Sequence, residues 1–395
     1  MIPSGDLRKI PNPSVRIFVG PAWGSATQDI TLKVPLDSLV IEETGTLDEA
    51  VCSFSIIDRE LLYAAIRGEW KVHIIHVGET VYKGFISRPR AEISAIYGEQ
   101  AVSCRDVSSL LDRLIVKSKF IRTRVESDTA RIQWIVNTIG QPLVREGMTN
   151  WGATQTLNAA LPHQNFPPRL TLRQCIERIL AASSPSANYY VDYWPTLHTY
   201  DRDNPESGHV APYNINATAS PGGGEITGED LKVDWDTDGL VNSYYVQGRN
   251  SLGSGHYTDI DLLPGPSSVH MFGLRSAYIQ APDADTATKA RTIARLALND
   301  TRNPVPRGSF KVYLPYLDER FKGGQLIYIT SAIHGLNGAG ADPGPWAGPG
   351  ADGYQIQPLR IVSVTTRYLN GKGDRIQEVE FGGRAVHRYQ ASIPA

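Results

Sequence analysis

Alternating apolar and polar positions mark the first hundred residues of the chain. Apolar residues occupy every second position in three segments, 30–34, 52–56 and 70–74. This period of two buries one face of a β-strand and leaves the other face in water, so each segment is predicted to be a strand. Gly78-Glu79 follows the third segment at the spacing of a hairpin turn. Residues 14–105 are therefore predicted to form consecutive strands.

Helical spacing follows this strand region. A short helix is expected after Asp106, which can serve as its N-cap, because four apolar residues then fall at i, i+3, i+4 and i+7. A second helix is expected to begin at Ser127 or Asp128. The capping-box pattern Thr171-Leu172-Arg173-Gln174 predicts a third helix, which ends before Pro185. Extended, aromatic sequence returns after this helix.

The carboxyl-terminal part is again rich in predicted strands and contains one Ala-rich helix near 284–299. Asn370-Gly371-Lys372-Gly373 is expected to form a hairpin turn, because Asn and Gly tolerate positive φ. The segment 335–353 holds seven Gly and three Pro and is too long for a tight turn; loops of this length are often functional or disordered. The strands are predicted at 241–248, 309–314, 325–331, 359–368 and 376–381.

These patterns predict a β-rich α+β fold. Two antiparallel β-barrel-like domains, residues 1–118 and 226–395, are expected to flank a small α+β domain at 119–225. The Gly-rich break at 219–224 supports the second boundary. The two β-domains could be copies of one barrel type, but the sequence carries no repeat strong enough to prove it.

Composition narrows the functional classes. The chain has 395 residues and a net charge of −2, which is unlike the basic footprint of a nucleic-acid reader. Its 18 Tyr and 7 Trp favour protein–protein contacts, although many aromatic side chains also fill β-cores. The three cysteines are widely spaced and predict buried thiols rather than a disulfide framework or a zinc site. With no apolar signal segment at 1–13 and no apolar run of bilayer length, we expect a soluble protein made in a cytoplasm.

No sequence motif convincingly indicates a catalytic, metal-binding or phosphate-binding site. The chain lacks a nucleophile elbow, a His-Glu-x-x-His pair, a phosphate-binding loop and a Cys-x-x-Cys pair. The polar run 201–209 has oxygen ligands that could hold Ca²⁺, but a solvated loop explains it better. His73 and His76 are expected on opposite faces of one strand, which argues against a shared metal. Asp-rich segments at 234–238 and 259–261 are typical of turns, although they leave a hydrolase open. No catalytic, cofactor-binding or metal-binding residue is predicted, and no cofactor.

Several segments carry a family resemblance. In the carboxyl-terminal third, the run from Ala281 through the Ala-rich helix to Val312, then Phe321–Ile329, then Arg360–Val364 with Ile376–Gly382, resembles phage tail-tip hub proteins. In the amino-terminal part, Val81–Ile86 and Glu99–Asp106 look like elements of the hub barrels of phage baseplates and type VI spikes. The resemblance covers the whole chain in element order.

The resemblance implies a structural subunit without enzymatic activity. It implies a homotrimer in which six similar β-domains form a ring that closes the distal end of the tail tube. The implied partners are the distal tail protein, the tape-measure protein and other tail-tip or fibre proteins, with DNA passing transiently and without specific binding. The implied location is the virion tail tip, after synthesis in the host bacterial cytoplasm. No lysozyme-like or fibre-like extension is recognised.

Two other functions stay open at this point. A receptor- or carbohydrate-binding tail module is favoured by the aromatic residues Tyr189, Tyr190, Tyr193 and Trp194. A virion-associated cell-wall hydrolase is the third possibility. The loop 335–353 has no counterpart in the resemblance, and we expect it to reach a neighbouring subunit or to line the tip.

Overall fold

The structure is a computed structural model. It describes the following residues: 14–24, 27–44, 50–57, 68–93, 98–139, 156–158, 160–184, 187–191, 197–201, 211–217, 225–236, 239–248, 255–258, 269, 273–281, 284, 286–301, 305–314, 320–331, 359–369, 374–382 and 391–392. The Gly/Pro-rich segment 335–353, the turn 370–373 and the break at 219–224 therefore lie outside the described residues.

Strands dominate the amino-terminal part. They are β1 (Val15–Gly20), β2 (Gln28–Asp29), β3 (Val40–Thr44), β4 (Val51–Ile57), β5 (Lys71–His76), β6 (Glu79–Ile93) and β7 (Gly98–Asp106). Two 3-10 helices at 31–33 and 36–38 precede β3, and a third at 107–109 leads into the short helix α1 (Leu110–Arg113).

The middle part mixes helices with short strands. Its elements are β8 (Phe120–Arg122), α2 (Asp128–Ile139), β9 (Gln164–Phe166), α3 (Leu172–Ser183), β10 (Ala187–Val191) and β11 (Leu197–Asp201). The strands form two separate two-stranded sheets, β8–β9 and β10–β11.

The carboxyl-terminal part returns to strands and holds one helix. Its elements are β12 (Asn214–Asn216), β13 (Glu225–Ile226), β14 (Glu229–Asp236), β15 (Ser243–Gln247), β16 (Gly255–Thr258), β17 (Ser276–Gln280), α4 (Ala287–Thr301), β18 (Val305–Leu314), β19 (Leu326–Ile327), β20 (Ile329–Thr330), β21 (Leu359–Tyr368), β22 (Arg375–Gly382) and β23 (Ala391–Ser392).

One twelve-stranded sheet contains strands from both ends of the chain. Its order is β14-β18-β22-β21-β3-β4-β7-β6-β5-β1-β2, with β19 also paired to β21. The pairing is antiparallel throughout. The β3–β21 contact joins the two β-regions edge to edge, while each region keeps its own apolar core. The predicted β-rich fold class is confirmed; the domain boundaries stay predictions.

A smaller unit built from β15, β16, β17, β23 and α4 was not expected from the sequence. Strands β16, β15, β17 and β23 form a four-stranded sheet in which β15 and β17 run parallel. The Ala-rich helix α4 packs on β15 and β16, and its buried Ala and Ile side chains complete a separate core. Small Ala side chains allow this close approach of helix to sheet.

Helix caps follow the sequence prediction closely. Thr171 Oγ1 accepts a hydrogen bond from the Gln174 backbone N–H at 3.2 Å, and Gln174 Oε1 accepts one from the Thr171 N–H at 2.9 Å, so the capping box is confirmed. Asp106 Oδ1 accepts from the Ser108 N–H at 3.0 Å, as expected of an N-cap. Ser127 caps α2, because its Oγ accepts from the Ala130 N–H at 3.1 Å.

The strand predicted at 30–34 is wrong. Residues 31–33 form a 3-10 helix, and Leu32 is 69% exposed. The Thr31 hydroxyl accepts a hydrogen bond from the Ile17 N–H at 2.9 Å, so a side chain takes the place of a strand partner there. Ile30 and Val34 are buried while Leu32 between them is exposed, so the apolar alternation in the sequence does not correspond to one buried strand face.

The hairpin turn between β5 and β6 lies one residue earlier than predicted. His76 pairs with Glu79, so Val77 and Gly78 form the two-residue loop. Both have positive φ, 50° and 86°, as a type I′ turn requires. A β-branched residue in this conformation is unusual, and sequence reasoning therefore favoured the wrong dipeptide.

Candidate functional site

The contact between β3 and β21 is the place where the two β-regions meet. Val40–Thr44 of β3 runs antiparallel to Ser363–Arg367 of β21. Backbone hydrogen bonds across this contact make the two regions one continuous sheet. A relative rotation of the regions would have to break this ladder, so the contact fixes their mutual orientation.

A buried ion pair lies beside this contact. Arg320 Nη1 donates to Glu43 Oε2 at 3.3 Å, and both side chains are less than a tenth exposed. Glu43 belongs to the amino-terminal region and Arg320 to the carboxyl-terminal region. A buried charge without its partner is costly, so the pair specifies which surfaces meet.

Gln377 holds the segment after Arg320 in place. Its side-chain amide donates to the Phe321 carbonyl at 3.1 Å and accepts from the Phe321 N–H at 3.0 Å. The amide also donates to Thr366 Oγ1 at 3.0 Å. Gln377 is fully buried, and its side chain satisfies the backbone N–H and carbonyl of Phe321 as a neighbouring strand would. Phe321 is therefore held in place without strand pairing.

A second buried arginine connects the middle part to this region. Arg360 Nη1 donates to the Gly324 carbonyl at 2.8 Å and to the Tyr200 hydroxyl at 3.3 Å. Tyr200 lies on β11, and Asn188 of β10 also donates to its hydroxyl at 3.1 Å. The hairpin β10–β11 is therefore tied to β21 by polar contacts.

Tyr368 and Arg375 occupy the other end of the β21–β22 hairpin. The two residues are paired across the strands, and both are almost fully buried. Burial raises the pKa of the Tyr368 hydroxyl and lowers the pKa of the Arg375 guanidinium. Tyr368 contacts the amino-terminal core, and its ring meets His76 edge-on with centroids 5.7 Å apart. The carboxyl-terminal hairpin thus contributes an aromatic side chain to the amino-terminal core.

We call these residues the junction: Glu43, Tyr200, Arg320, Phe321, Arg360, Thr366, Tyr368, Arg375 and Gln377. Sequence reasoning assigned none of them a functional role, although Phe321, Arg360 and Gln377 lie in segments that carry the family resemblance. The signal available was the presence of charged and amide residues within strands, such as Arg360, Arg375 and Gln377, where a buried face would otherwise be apolar. The junction residues hold the two β-regions and the middle part in fixed positions relative to one another.

The residues considered for metal binding and catalysis do not form a site among the described residues. Residues 202–209 of the polar run lie outside them, as do residues 237–238 and 259–261 of the Asp-rich segments. His73 faces Phe18, whereas His76 lies against Tyr368. Within the described ranges, no group of three His, Cys, Asp or Glu side chains is placed to hold a metal ion.

The aromatic cluster of the middle part is only partly available to a ligand. Tyr189 is buried in the core of the middle part, and burial raises its pKa. Tyr190 stacks on His198 with centroids 4.6 Å apart and planes 8° apart, so each ring covers one face of the other. Tyr193 and Trp194 lie outside the described residues.

The cysteines are buried thiols. Cys52 of β4 and Cys104 of β7 are directly opposed in the sheet, and both are fully buried. Burial raises the pKa of the Cys52 thiol. Burial also raises the pKa of Cys175 in the middle part to about 11. None of the described helices is long and apolar enough to cross a membrane.

The fold is similar to that of several solved phage tail proteins. The sequence matches no protein-family model and no curated protein. The fold is similar to the 43 kDa tail protein of prophage MuSo2 from Shewanella oneidensis, with a TM-score of 0.65 and 10% identity over 94% of this chain and 98% of that one. A tail protein of Neisseria meningitidis MC58 gives a TM-score of 0.61 and 13% identity, over 93% of this chain and 96% of the other.

A third similar structure is prophage tail protein gp18 from Listeria monocytogenes EGD-e. Its TM-score is 0.58 and its identity 13%, over 94% of this chain and 95% of that chain. The resemblance to tail hub proteins that the sequence indicated is thus confirmed at the level of the fold.

Proposed function

We propose that this chain is a structural subunit of a phage tail tip, a baseplate hub protein without enzymatic activity. The observation that carries the proposal is the likeness of fold along nearly the entire length of prophage tail proteins, up to 98% of the chain of one of them. The second support is the junction, whose buried contacts hold the two β-regions and the middle part in a fixed arrangement.

We further propose that three copies form a ring that closes the distal end of the tail tube. Among the described strands, β14 and β2 lie at the two ends of the large sheet. Open sheet edges favour association, and a closed ring of identical subunits would cover them. The rigid contact between the two β-regions supports a ring in which each subunit supplies two blocks of fixed orientation.

The proposed partners are the distal tail protein, the tape-measure protein and other tail-tip or fibre proteins. DNA would pass through the ring without specific binding, which agrees with the net charge of −2. The proposed location is the virion tail tip, after synthesis in the host bacterial cytoplasm. The segment 335–353 would reach a neighbouring subunit or line the tip.

Two measurements test this proposal. Light scattering of the purified chain should give three times its mass of 43.4 kDa. Gold-labelled antibody against the chain should mark the distal end of tails in electron micrographs. A chain that stays monomeric at all concentrations and labels no tail would contradict the proposal. Deletion of 335–353 tests the loop separately, since unchanged assembly and infectivity would remove its assigned role.

A further inference from the structure

Two paired segments of the middle part have an unusual charge composition. Residues 115–125 and 161–171 contain five Lys and Arg, one His, and no Asp or Glu. The whole chain, by contrast, has a net charge of −2. The two segments include the strands β8 and β9, which pair antiparallel with Ile121 opposite Asn165. This pairing brings the positive charges of two separate stretches of sequence together.

The inner side of these segments is fixed to the core of the middle part. Val116 and Phe166 are buried in that core. The Phe120 ring meets the Trp134 ring edge-on, with centroids 6.4 Å apart. Beyond the strands, the Val116 N–H donates to the Leu170 carbonyl at 2.8 Å, so the segments stay joined there as well. The side chains on their other side consequently point away from the core.

The outer side carries apolar and positive side chains together. Ile115, Ile121 and Val125 are 51%, 55% and 59% exposed. Lys117 and Lys119, which stand between the two Ile residues, are exposed as well. Single exposed apolar residues are normal on a protein surface, but a stripe of them along one segment is typical of an interaction site.

We call this surface the basic ribbon: Ile115, Lys117, Lys119, Ile121, Val125 and Arg169. Arg169 belongs to it because its side chain is exposed and its backbone N–H donates to the Val116 carbonyl at 2.8 Å. That hydrogen bond places Arg169 beside the segment that carries Lys117. The ribbon thus combines three apolar side chains with three cations.

The cations of the basic ribbon are not neutralised within the described part of the chain. Among the described residues, Lys117, Lys119 and Arg169 form no ion pair and no side-chain hydrogen bond. The carboxylate that follows the first segment, Glu126, is already paired with Arg122 at 2.7 Å. The positive charge of the ribbon is therefore available to a ligand.

We propose that the basic ribbon binds an extended segment of a partner protein that combines acidic and apolar residues. Acidic side chains would meet the Lys and Arg side chains, and apolar side chains would cover the exposed Ile and Val. Because the ribbon is fixed to the core, binding requires little ordering of its backbone. Residues 115–125 span at most about 33 Å at about 3.3 Å per residue, so about ten extended residues would cover them. The proposal does not rest on the proposed hub function.

The apolar side chains favour a polypeptide over a phosphate backbone or a membrane surface. A nucleic-acid backbone offers phosphates and sugars but no apolar groups to cover Ile115, Ile121 and Val125. Segments that bind at membrane interfaces place Trp, Phe or Leu in the bilayer beside their cations. The aromatic rings of β8 and β9, Phe120 and Phe166, instead face the core of the middle part.

The test uses the full-length chain and fluorescein-labelled peptides of ten residues, with binding followed by anisotropy at low salt. The main probe alternates Glu and Leu, and two matched probes alternate Glu with Ser and Lys with Leu. The Glu–Leu peptide should bind saturably and lose affinity at high salt. The Glu–Ser peptide should bind about fivefold more weakly, because it lacks the apolar contacts. The Lys–Leu peptide should not bind.

A pair of charge variants locates the site. Lys117→Gln combined with Lys119→Gln should weaken binding of the Glu–Leu peptide about tenfold, as the loss of two charge contacts implies. The matched control is Lys232→Gln with Arg367→Gln, which removes two positive charges from exposed positions elsewhere. Its affinity should stay within about twofold of the wild type. Circular dichroism should show both variants folded, because all four side chains are exposed.

Ile121→Thr tests the apolar part of the ribbon separately. It keeps a β-branched side chain on β8 and should weaken binding of the Glu–Leu peptide about threefold, while binding of the Glu–Ser peptide stays unchanged. Leu274→Thr is the control, since Leu274 is 64% exposed elsewhere on the chain and its change should affect neither peptide. Equal affinity of the wild-type chain for the two Glu peptides would overturn the proposed apolar contacts.

Competition decides the class of partner. A short DNA duplex and vesicles of phosphatidylglycerol should each displace the bound Glu–Leu peptide only weakly, and efficient displacement by either would overturn the choice of a polypeptide. Absence of Glu–Leu binding, or an equal loss in the control pair, would overturn the site itself. None of these outcomes depends on whether the chain forms a ring.

Discussion

Glu43 and Arg320 are 277 positions apart in the chain and form a buried ion pair where the two β-regions meet. Their pairing turns a meeting of strand edges into a specific contact, because neither charge tolerates burial without the other. The first prediction concerns this pair.

Glu43→Gln should lower the free energy of unfolding by about 3 kcal/mol, because it leaves the Arg320 guanidinium buried beside a neutral group. Urea unfolding followed by circular dichroism measures this loss. Glu43→Gln combined with Arg320→Met should cost less than the sum of the two single changes. Additive losses would show that the two side chains do not interact.

An exposed ion pair provides the control. Asp230 and Lys311 are joined at 3.1 Å on the surface of the same sheet, with side chains 64% and 44% exposed. Asp230→Asn should change the free energy of unfolding by no more than about 0.5 kcal/mol, because solvent screens the pair. Asn also tolerates the positive φ of this position, so the backbone is not strained by the change.

The turn between β5 and β6 yields a stabilising prediction. Val77 has φ of 50° and is 67% exposed, so its side chain contributes little packing and its backbone is strained. Val77→Asn should raise the free energy of unfolding by about 1 kcal/mol, because Asn-Gly is a preferred pair in type I′ turns. Val125→Asn is the control, since Val125 is 59% exposed and does not have positive φ. Equal effects at both positions would contradict the strain argument.

Two glycines in the strands with family resemblance permit close approach of neighbouring backbone. A Cβ on Gly308 would lie 1.9 Å from the Lys232 carbonyl oxygen, and a Cβ on Gly84 would lie 2.2 Å from that of Arg105. Gly308→Ala should therefore lower the free energy of unfolding by about 3 kcal/mol, since strand backbone cannot move aside cheaply. Thermal and urea unfolding measure this effect.

Gly68→Ala is the matched control for the glycine change. Its Cβ would come no closer than 3.9 Å to a neighbouring atom, so the free energy of unfolding should change by less than about 0.5 kcal/mol. A Gly308→Ala variant as stable as Gly68→Ala would mean that the sheet adjusts at this point without cost.

The thiols should be inert in the folded chain. Only the thiolate reacts with Ellman's reagent, and a pKa of about 11 for Cys175 leaves about one thiolate in a thousand at pH 8. Cys52 has a raised pKa and is fully buried as well. The native chain should release almost no chromophore over minutes, whereas the chain in guanidinium should release three equivalents for its three cysteines. Rapid reaction of the native chain would contradict the burial of these side chains.

Sequence patterns correctly predicted the structural features that depend on neighbouring residues in the chain. The capping box at Thr171 and the strand at Leu359–Tyr368 follow from neighbours in sequence, and both appear where expected. The strand prediction for 30–34 was wrong because residues 31–33 form a 3-10 helix. The Thr31 hydroxyl there accepts a hydrogen bond from the Ile17 N–H, which lies outside the segment. The turn at Val77 was predicted one residue too late because the hairpin imposes a positive φ on Val77, and valine disfavours that backbone conformation.

Contacts between distant segments were not predictable from one sequence. The β3–β21 pairing depends on which edges remain open after the local elements have formed. Glu43 of β3 finds its partner Arg320 277 positions away, so no local pattern around β3 identifies that partner.

The order of synthesis gives the β3–β21 contact a further meaning. Translation produces β3 about 320 residues before β21, so the β3 edge meets its native partner only after the intervening residues have left the ribosome. Pairings between such distant segments form slowly, and an open strand edge invites association with other nascent chains during the delay. The exposed Glu42 on β3 places a negative charge beside that edge, which discourages premature pairing. Because β21 pairs with β3, nascent chains halted before β21 lack an integral part of the amino-terminal fold.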